Sequence, residues 1–594
     1  MCGFSGCYFL EKNCVKNKFN SINLNHRGPD DFQTFRNDFL KVNFYRLKIL
    51  GGSYGRQPML SENKRWMLLF NGEIYNYIEI AKEMGRSDLI KKGDTRVLLE
   101  LLASEGVNAI KKTNGMFSIV LVDLKKKKIF LIRDRFGTKP LYYSIQKRII
   151  YFASEIKSLP IEKNTEVNFN KINNYLKSEL YPAAPNTFFS NVFEIKPGTI
   201  NEFEKNKIKS KKYYSLEKKL IELDNKNLSL SDFEKALEKS IMLRLRSDVP
   251  ISLHFSGGVD STAILCKLKE MFGEKIPIKV YFLKYKKKDD FDLRRAKKIC
   301  KILNQKLIVI NFKENKIFSL AQKTQYFMDE PFGGIPTLGM SQLNKIQKKK
   351  IPVSLEGQGS DEILSGYFTH VLMALKDMKR KKEEQSIYLK VRNNFKLTDK
   401  KIINLSNLLY KNNFGGSTDG SKISPSRIKI KKQNNNLRTI EYFNIKYNKL
   451  PRVLRFHDRI SAGHSRELRF PFLDHNVVEI SLSLKNKYKF GNGFPKYPLI
   501  NIISRHLPAK IFKEKKRSNS VPEFQILLKN KKKIFKIFKY LRNLKKIKDI
   551  YFLNAEKKLM SKKNSNSFHI WQIINVYLFL KHFEFLKKRS LSKF

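Results

Sequence analysis

The chain has 594 residues, too many for one hydrophobic core, so two large domains with additions are expected. Its 41% hydrophobic and 12% aromatic content excludes a disordered chain, and no uninterrupted apolar run reaches the ~18 residues of a membrane span. The formal net charge of +63 would suit a nucleic-acid or anionic-membrane partner. Its lysines, however, are scattered through every segment, as in Lys125–Lys128, Lys286–Lys288 and Lys348–Lys350, so the charge is read as compositional bias.

Residues 1–205 carry short β-branched and aromatic runs bounded by turn or charged residues: Val42–Tyr45, Trp66–Phe70, Phe117–Val122, Ile129–Ile132 and Ile149–Phe152. The charged stretch Lys205–Lys212 opens an expected linker over 206–228. From 229 to 594 the pattern changes. Asp232–Leu245 has helical spacing, and strand Ile251–Phe255, a Gly-rich turn, helix Thr262–Met271 and strand Lys279–Leu283 form a βαβ unit of a parallel sheet. Ile351–Leu355 reads as another strand. Residues 375–436 are polar and weakly periodic, which predicts an insertion or flexible loop, above all at Asn412–Ser424. From Asn501 the chain is helical and basic, and Trp571–Leu586 is the nearest approach to a membrane span, broken by Lys581, His582 and Glu584. Lys587–Phe594 should fray. Five cysteines (Cys2, Cys7, Cys14, Cys266, Cys300) lack metal-ligand spacing, and the start lacks a signal-peptide pattern; a reducing cytoplasm without disulfides is the expectation.

Cys2 follows the initiator methionine. If Met1 is removed, the thiol sits beside a free α-amine, which can take its proton as an N-terminal amine does for a Thr nucleophile. Asn71-Gly72-Glu73 follows the run Trp66–Phe70. The Asn71 amide and the Gly72 N–H could donate to an oxyanion, or the pair could be an ordinary hairpin turn. Arg46 could clamp a carboxylate with a bidentate fork, or lie on the surface. Asp94 could hold an ammonium, or cap the helix Thr95–Leu102.

Ser256-Gly257-Gly258-Val259-Asp260-Ser261 lies between a strand and a helix. Glycines there let backbone N–H groups approach phosphates at a helix N-terminus, and Asp260 could bind Mg²⁺. No Gly-Lys-Ser/Thr follows, so it is not a Walker A loop. A generic Ser-Gly-Gly turn is the alternative.

In order, Cys2, His26-Arg27-Gly28-Pro29-Asp30, Arg46-Leu47, Asn71 to Asn76, Gly93-Asp94 and Arg133 to Gly137 resemble the glutaminase domain of class II glutamine amidotransferases. Ser256–Ser261 resembles the pyrophosphate loop of N-type ATP pyrophosphatases. With Glu356-Gly357-Gln358-Gly359-Ser360-Asp361-Glu362, Glu467–Asp474 and Lys496, the second half resembles the synthetase domain of glutamine-dependent asparagine synthetases, and the likeness spans nearly the whole chain.

The resemblance implies an α/β and α+β chain of two domains: an N-terminal αββα sandwich of the N-terminal-nucleophile hydrolase type over 1–205, and a C-terminal parallel-sheet ATP-pyrophosphatase-like domain with helical additions over 229–594. It implies Cys2 as nucleophile with Asn71 and Gly72 as oxyanion donors, and Arg46, Ile49, Asn71, Glu73 and Asp94 around glutamine. Phe255, Ser256, Gly257, Gly258, Asp260, Ser261, Leu283, Glu356, Gly357, Asp361 and Lys496 would handle ATP, with Asp260 and Asp361 on Mg²⁺. Ammonia would reach an acyl-adenylate through an internal tunnel, and a homodimer is compatible with the pattern. Two departures bear on the acceptor. Gln358 stands where aspartate-using enzymes carry Glu, and an amide cannot act as a general base. Asp329–Thr337 lacks the Thr-Thr-Ile-Arg-like stretch linked to aspartate. Both features resemble paralogues of surface-polysaccharide pathways, where the acceptor is a sugar carboxylate. Aspartate is the first expectation and a uronic acid the second. A tRNA-modifying pyrophosphatase and a degenerate scaffold are the readings outside this class.

Overall fold

A computed structural model describes residues 2–10, 21–160, 165–178, 181–204, 207–285, 290–348, 350–411, 436–509, 511, 523–561 and 567–591. Among the described residues the N-terminal half holds twelve strands: β1 (Gly3–Phe9), β2 (Asp31–Arg36), β3 (Leu40–Arg46), β4 (Met59–Leu60), β5 (Trp66–Ile74), β6 (Gly115–Asp123), β7 (Lys128–Arg133), β8 (Tyr142–Gln146), β9 (Ile149–Ala153), β10 (Phe193–Glu194), β11 (Thr199–Glu204) and β12 (Lys207–Lys212). They form two six-stranded sheets, in the orders β10-β8-β9-β1-β3-β2 and β12-β11-β7-β6-β5-β4.

The period of two along each strand divides its side chains between layers. In β5, Met67 and Leu69 meet Phe4, Val42, Phe44 and Phe152 of the other sheet, whereas Leu68 and Phe70 turn outward to Val97, Leu98 and Leu101 of the helix Asp94–Glu105. In β1, Phe4 and Tyr8 point between the sheets. Cys7 and Phe9 point away, toward the helix Phe169–Ser178. Burial on both faces explains why these strands read as continuous apolar runs. The result is an αββα sandwich, and its outer layer is completed from the far end of the chain. The helix Phe568–Leu591 packs Trp571, Ile574 and Phe579 into the same core, and the Trp571 indole donates to the Gly333 carbonyl at 2.6 Å. Among the described residues no helix is long and apolar enough to cross a membrane.

The C-terminal half is built on a parallel sheet of β13 (Ile251–His254), β14 (Ile278–Lys284), β15 (Leu307–Asn311), β16 (Val353–Leu355) and β17 (Glu467–Arg469), in the order β15-β14-β13-β16-β17. From β13 the chain first adds strands on one side, then returns to add β16 and β17 on the other. The crevice at the carboxyl ends of β13 and β16 is therefore a topological switch point, the place where such sheets bind ligands.

Two readings of the sequence change. The expected linker 206–228 contains β12, an edge strand paired with β11, and the helix Leu216–Leu223, whose Leu216 and Leu220 join the core of the second half. A lysine-rich edge strand discourages edge-to-edge pairing and has the composition of a linker. The expected loop 375–436 carries the helices Gln385–Asn394 and Asp399–Lys411. With Phe368–Met378 and Asn436–Lys446 they bury Leu375, Met378, Tyr388, Val391, Ile402 and Ile440 in a small core of their own. Its apolar positions are sparse against a Lys/Asn background, which hid the period. Asn412–Ser424 and Cys14 lie outside the described residues. The four described cysteines are unpaired.

Candidate functional site

Cys2 stands at the end of β1, held between β3 and β9. Its backbone N donates to Asn71 Oδ1 at 3.1 Å, and its carbonyl accepts from Arg27 Nε at 3.0 Å. The sulfur lies 4.0 Å from the Leu47 carbonyl, and burial pushes the thiol up from its ordinary value. Asn71 and Gly72 are not a hairpin turn. They lie inside β5, opposite Ser118 and Phe117 of β6. A Cβ on Gly72 would fall 2.0 Å from the Met116 carbonyl, so only glycine allows this approach. Asn71 Nδ2 donates to Ser118 Oγ at 3.4 Å, which engages one of its two hydrogens.

Arg46 closes β3 and is buried. Its Nη2 donates to the Leu50 carbonyl at 3.3 Å, while Nη1 is buried without a partner among the described residues. A Cβ on Gly55 would strike Nη2, so the bare backbone there makes room for the guanidinium. Ile49 is buried, and its carbonyl accepts from Asp248 of the second half at 3.0 Å. Asp94 opens the helix Asp94–Glu105 but does not cap it. Its carboxylate turns back to the Ile74 N–H at 2.9 Å, and burial raises it to about 6. Glu73 Oε2 lies 3.3 Å from Arg469 Nη2 of β17.

In the second half, the loop after β13 leads into the helix Val259–Phe272. Ser256 and Ser261 knit it together: Ser256 N donates to Ser261 Oγ at 3.2 Å and Gly258 N to Ser256 Oγ at 3.2 Å. Gly257 has φ +66° and sits against Ala296, a conformation few other residues adopt. Phe255 is buried and its N–H donates to the Tyr281 carbonyl at 2.8 Å. Leu283, near the end of β14, is half-buried. Gly357 abuts Asp260: a Cβ there would lie 2.8 Å from Asp260 Cβ. Lys496 Nζ reaches Asp260 at 2.6 Å, Asp361 at 2.5 Å and Ser360 Oγ at 3.2 Å. The two carboxylates raise the Lys496 ammonium even against its burial. Lys496 has a left-handed backbone, φ 59°, of the kind that gathers at functional sites. Beside it Glu362 is raised to about 7 by burial and by Asp361, and accepts from Tyr367 Oη at 2.6 Å.

The structure thus joins Cys2 to Asn71 in the first half, and Asp260, Ser360 and Asp361 through Lys496 in the second. A glutamine amidotransferase domain model matches residues 1–214, and an asparagine synthase model matches residues 232–576. The chain belongs to the asparagine synthase family. A putative glutamine-hydrolysing asparagine synthetase 2 of Methanocaldococcus jannaschii is 31% identical over 401 residues, 62% of this chain and 76% of its own. Asparagine synthetase 1 of Bacillus subtilis, also glutamine-hydrolysing, is 26% identical over 556 residues, 88% of this chain and 87% of its own. The structure of the allosteric regulatory enzyme of purine biosynthesis overlaps 52% of this chain and 80% of its own at 14% identity, with a TM-score of 0.25. The protein is a glutamine-dependent amidotransferase of the asparagine synthetase type, a ligase.

For a member of this family, the acceptor end holds features that the sequence did not signal. Glu356 is buried between two imidazoles: Oε1 meets His254 Nδ1 at 2.6 Å and Oε2 meets His457 Nδ1 at 2.6 Å. Burial alone would raise this carboxyl, yet the two histidines hold it at about 2. The sequence reading places His254 only inside the strand Ile251–Phe255 and does not single out His457. Asp329 and Glu330 enter an ion network instead. Asp329 pairs with Lys157 at 3.1 Å and Arg459 at 3.2 Å, and Glu330 pairs with Arg455 at 3.2 Å. Asp260 and Asp361 share one ammonium, that of Lys496. A pair of carboxylates completed by substrate phosphates fits Mg²⁺; among the described residues no group of three or more His, Cys, Asp or Glu is placed to hold a metal.

Proposed function

We propose that the protein hydrolyses glutamine at Cys2 and uses the ammonia to amidate a carboxylate that ATP has activated as an acyl-adenylate. AMP, pyrophosphate and glutamate are the other products. The observation that carries this reading is the pairing of two complete constellations on one chain, in contact through Glu73 and Arg469.

Removal of Met1 leaves an α-amine at the Cys2 nitrogen, 3.1 Å from Asn71 Oδ1. A thiol raised by burial needs a base beside it, and the amine is that base. The sulfur attacks the glutamine amide carbon, and Asn71 Nδ2 and the Gly72 N–H stabilise the oxyanion. The amine returns the proton to the leaving ammonia, and water cleaves the thioester. The unpartnered Arg46 Nη1 takes the glutamine α-carboxylate. Asp94 takes its ammonium. Ile49 lines the pocket, and Glu73, whose carboxyl is pushed well above the usual range by burial and by Glu467, is anchored by Arg469.

ATP lies with its phosphates on the Ser256–Ser261 loop, where N–H groups and the helix N-terminus favour anions. Phe255, Leu283, Glu356 and Gly357 line the nucleotide. Asp260 and Asp361 would hold Mg²⁺, which neutralises phosphate charge when bound. Lys496 offsets the charge that develops as the carboxylate oxygen attacks the α-phosphorus and pyrophosphate leaves.

Aspartate is the first acceptor to test. A sugar uronic acid is the second, favoured by Gln358 and by the capture of Asp329 and Glu330 in the ion network. The test incubates purified protein with ATP, Mg²⁺, glutamine and each candidate, and measures AMP, pyrophosphate and glutamate. Acceptor-dependent AMP with aspartate supports asparagine synthesis. Its appearance only with a uronic acid moves the reading to the sugar, and ADP in place of AMP overturns the adenylate.

A further inference from the structure

Gln358 offers no carboxylate, and the loop's own carboxylates are engaged, Glu356 by two histidines, Asp361 by Lys496 and Glu362 by Tyr367, yet amide formation needs a proton accepted. As ammonia attacks the acyl carbon, its nitrogen becomes cationic and must lose a proton. The question is which group near the loop carries a free lone pair.

The hydrogen bonds around Glu356 supply an answer. Gln347 Nε2 donates to the Ile351 carbonyl at 2.8 Å, an acceptor only, which fixes its amide orientation; Ser252 Oγ and Ser354 Oγ each lie 3.0 Å from the same nitrogen. Gln347 Oε1 must therefore accept, and it faces His254 Nε2 at 2.9 Å. The other ring nitrogen of His254 faces Glu356 Oε1. Both nitrogens of His254 are taken up by these contacts, so neither is left for a substrate. His457 donates from Nδ1 to the second Glu356 oxygen, so its lone pair is on Nε2.

That nitrogen makes no hydrogen bond to any described residue, and the His457 side chain is 12% exposed, enough to meet a substrate. The setting is the ligand crevice. His254 ends β13, Glu356 follows β16, and Gly357 abuts Asp260 of the phosphate loop. The His457 ring packs edge-on against Phe470, 6.2 Å between centroids, and Phe470 follows Arg469, which meets Glu73 of the glutaminase half.

We propose that His457, oriented by Glu356 and His254, is the general base that completes amide formation in this chain, in the place that Gln358 cannot fill. This rests on the reading above that an acyl-adenylate is the species attacked. The ammonia lone pair forms the new C–N bond, and the C–O bond to AMP breaks with its electron pair. Nε2 of His457 takes one proton from nitrogen and later gives it to water. The amide, AMP and an unchanged enzyme result.

The experiment uses the full chain with ammonium chloride as nitrogen donor. The acceptor is whichever of aspartate, glutamate, glucuronate and galacturonate the wild-type protein amidates. Two rates are compared: amide formation, and acceptor-dependent ATP–pyrophosphate exchange without a nitrogen donor, which reads adenylation alone. His457→Ala should lower amide formation by about 10²-fold or more, the range of a lost general base, and leave exchange within about twofold. Added imidazole should restore part of the lost rate. Glutamine hydrolysis by the same preparations reports that they are folded, and His457→Gln gives the same comparison should the alanine variant not fold. Amidation at the wild-type rate by His457→Ala overturns the proposal. So does parallel loss of exchange and amidation without imidazole rescue, which marks a packing role. A wild-type protein that amidates none of the four overturns the reading beneath, and is distinguished because it appears without any substitution.

Discussion

Arg469 Nη2 stands 3.3 Å from Glu73 Oε2, so the edge strand of the parallel sheet reaches into the wall of the glutaminase pocket. The same guanidinium donates to Glu467 at 2.8 Å and to the Arg244 and Arg246 carbonyls at 2.9 and 2.6 Å. Arg469 and Glu467 are fully buried and Glu73 nearly so. One side chain thus holds Glu467 below the usual carboxylate range and also meets Glu73 of the other half, whose carboxyl burial and Glu467 push well above it.

Arg469→Met should leave Glu467 buried without its cation and Glu73 without its partner. Breaking a buried pair in this way costs about 3–5 kcal/mol. An earlier first transition in urea unfolding is the expected result, and Arg469→Met combined with Glu467→Gln should recover part of the loss. An unchanged transition would mean that water already serves these carboxylates.

Asp94 sets a pH dependence. Burial raises its folded value to about 6, above the ordinary range for an aspartate. The folded state therefore binds more protons than the unfolded state between about pH 4 and 6, so this group contributes stability below that window and loses it as pH rises through it. Function runs the other way, because only the carboxylate can pair with the glutamine ammonium. KM for glutamine should rise as pH falls below about 6. Steady-state kinetics with glutamine check this, with ammonium chloride as the control donor that bypasses the site. Asp94→Asn should have a high KM that no longer changes across the same window.

Much of this was legible in the sequence where chemistry is local. The Ser256–Ser261 loop sits where its strand and helix flanks placed it. Asn71-Gly72 allowed two readings because an Asn-Gly pair suits a turn; tertiary pairing with Ser118 and Phe117 put it inside a strand. The partnership of Glu356 with His254 and His457 was not legible. Those residues are about a hundred positions apart in sequence and meet only because β13 and β16 are neighbours and the helix Lys449–Ala462 crosses their ends. The same holds for Glu73 and Arg469, and for Trp571, which closes a layer begun by β1.

Lys496→Met should separate the two activities. It removes the ammonium shared by Asp260 and Asp361, so acceptor-dependent ATP–pyrophosphate exchange should fall by about 10²–10³-fold, the scale for losing one preorganised charge. Glutamine hydrolysis should persist, since no Lys496 contact reaches the glutaminase pocket among those described. Equal loss of both activities would instead place Lys496 in the stability of the whole chain.

The central claim is that one chain moves nitrogen from glutamine to an ATP-activated carboxylate. Glutamine labelled with ¹⁵N in its amide, supplied with ATP, Mg²⁺ and the accepted carboxylate, tests it most directly. The label should appear in the product amide in step with AMP and glutamate. Cys2→Ala should abolish that transfer while still amidating from ammonium chloride. Labelled ammonia accumulating in bulk solution with no labelled amide, or transfer that survives Cys2→Ala, would contradict it.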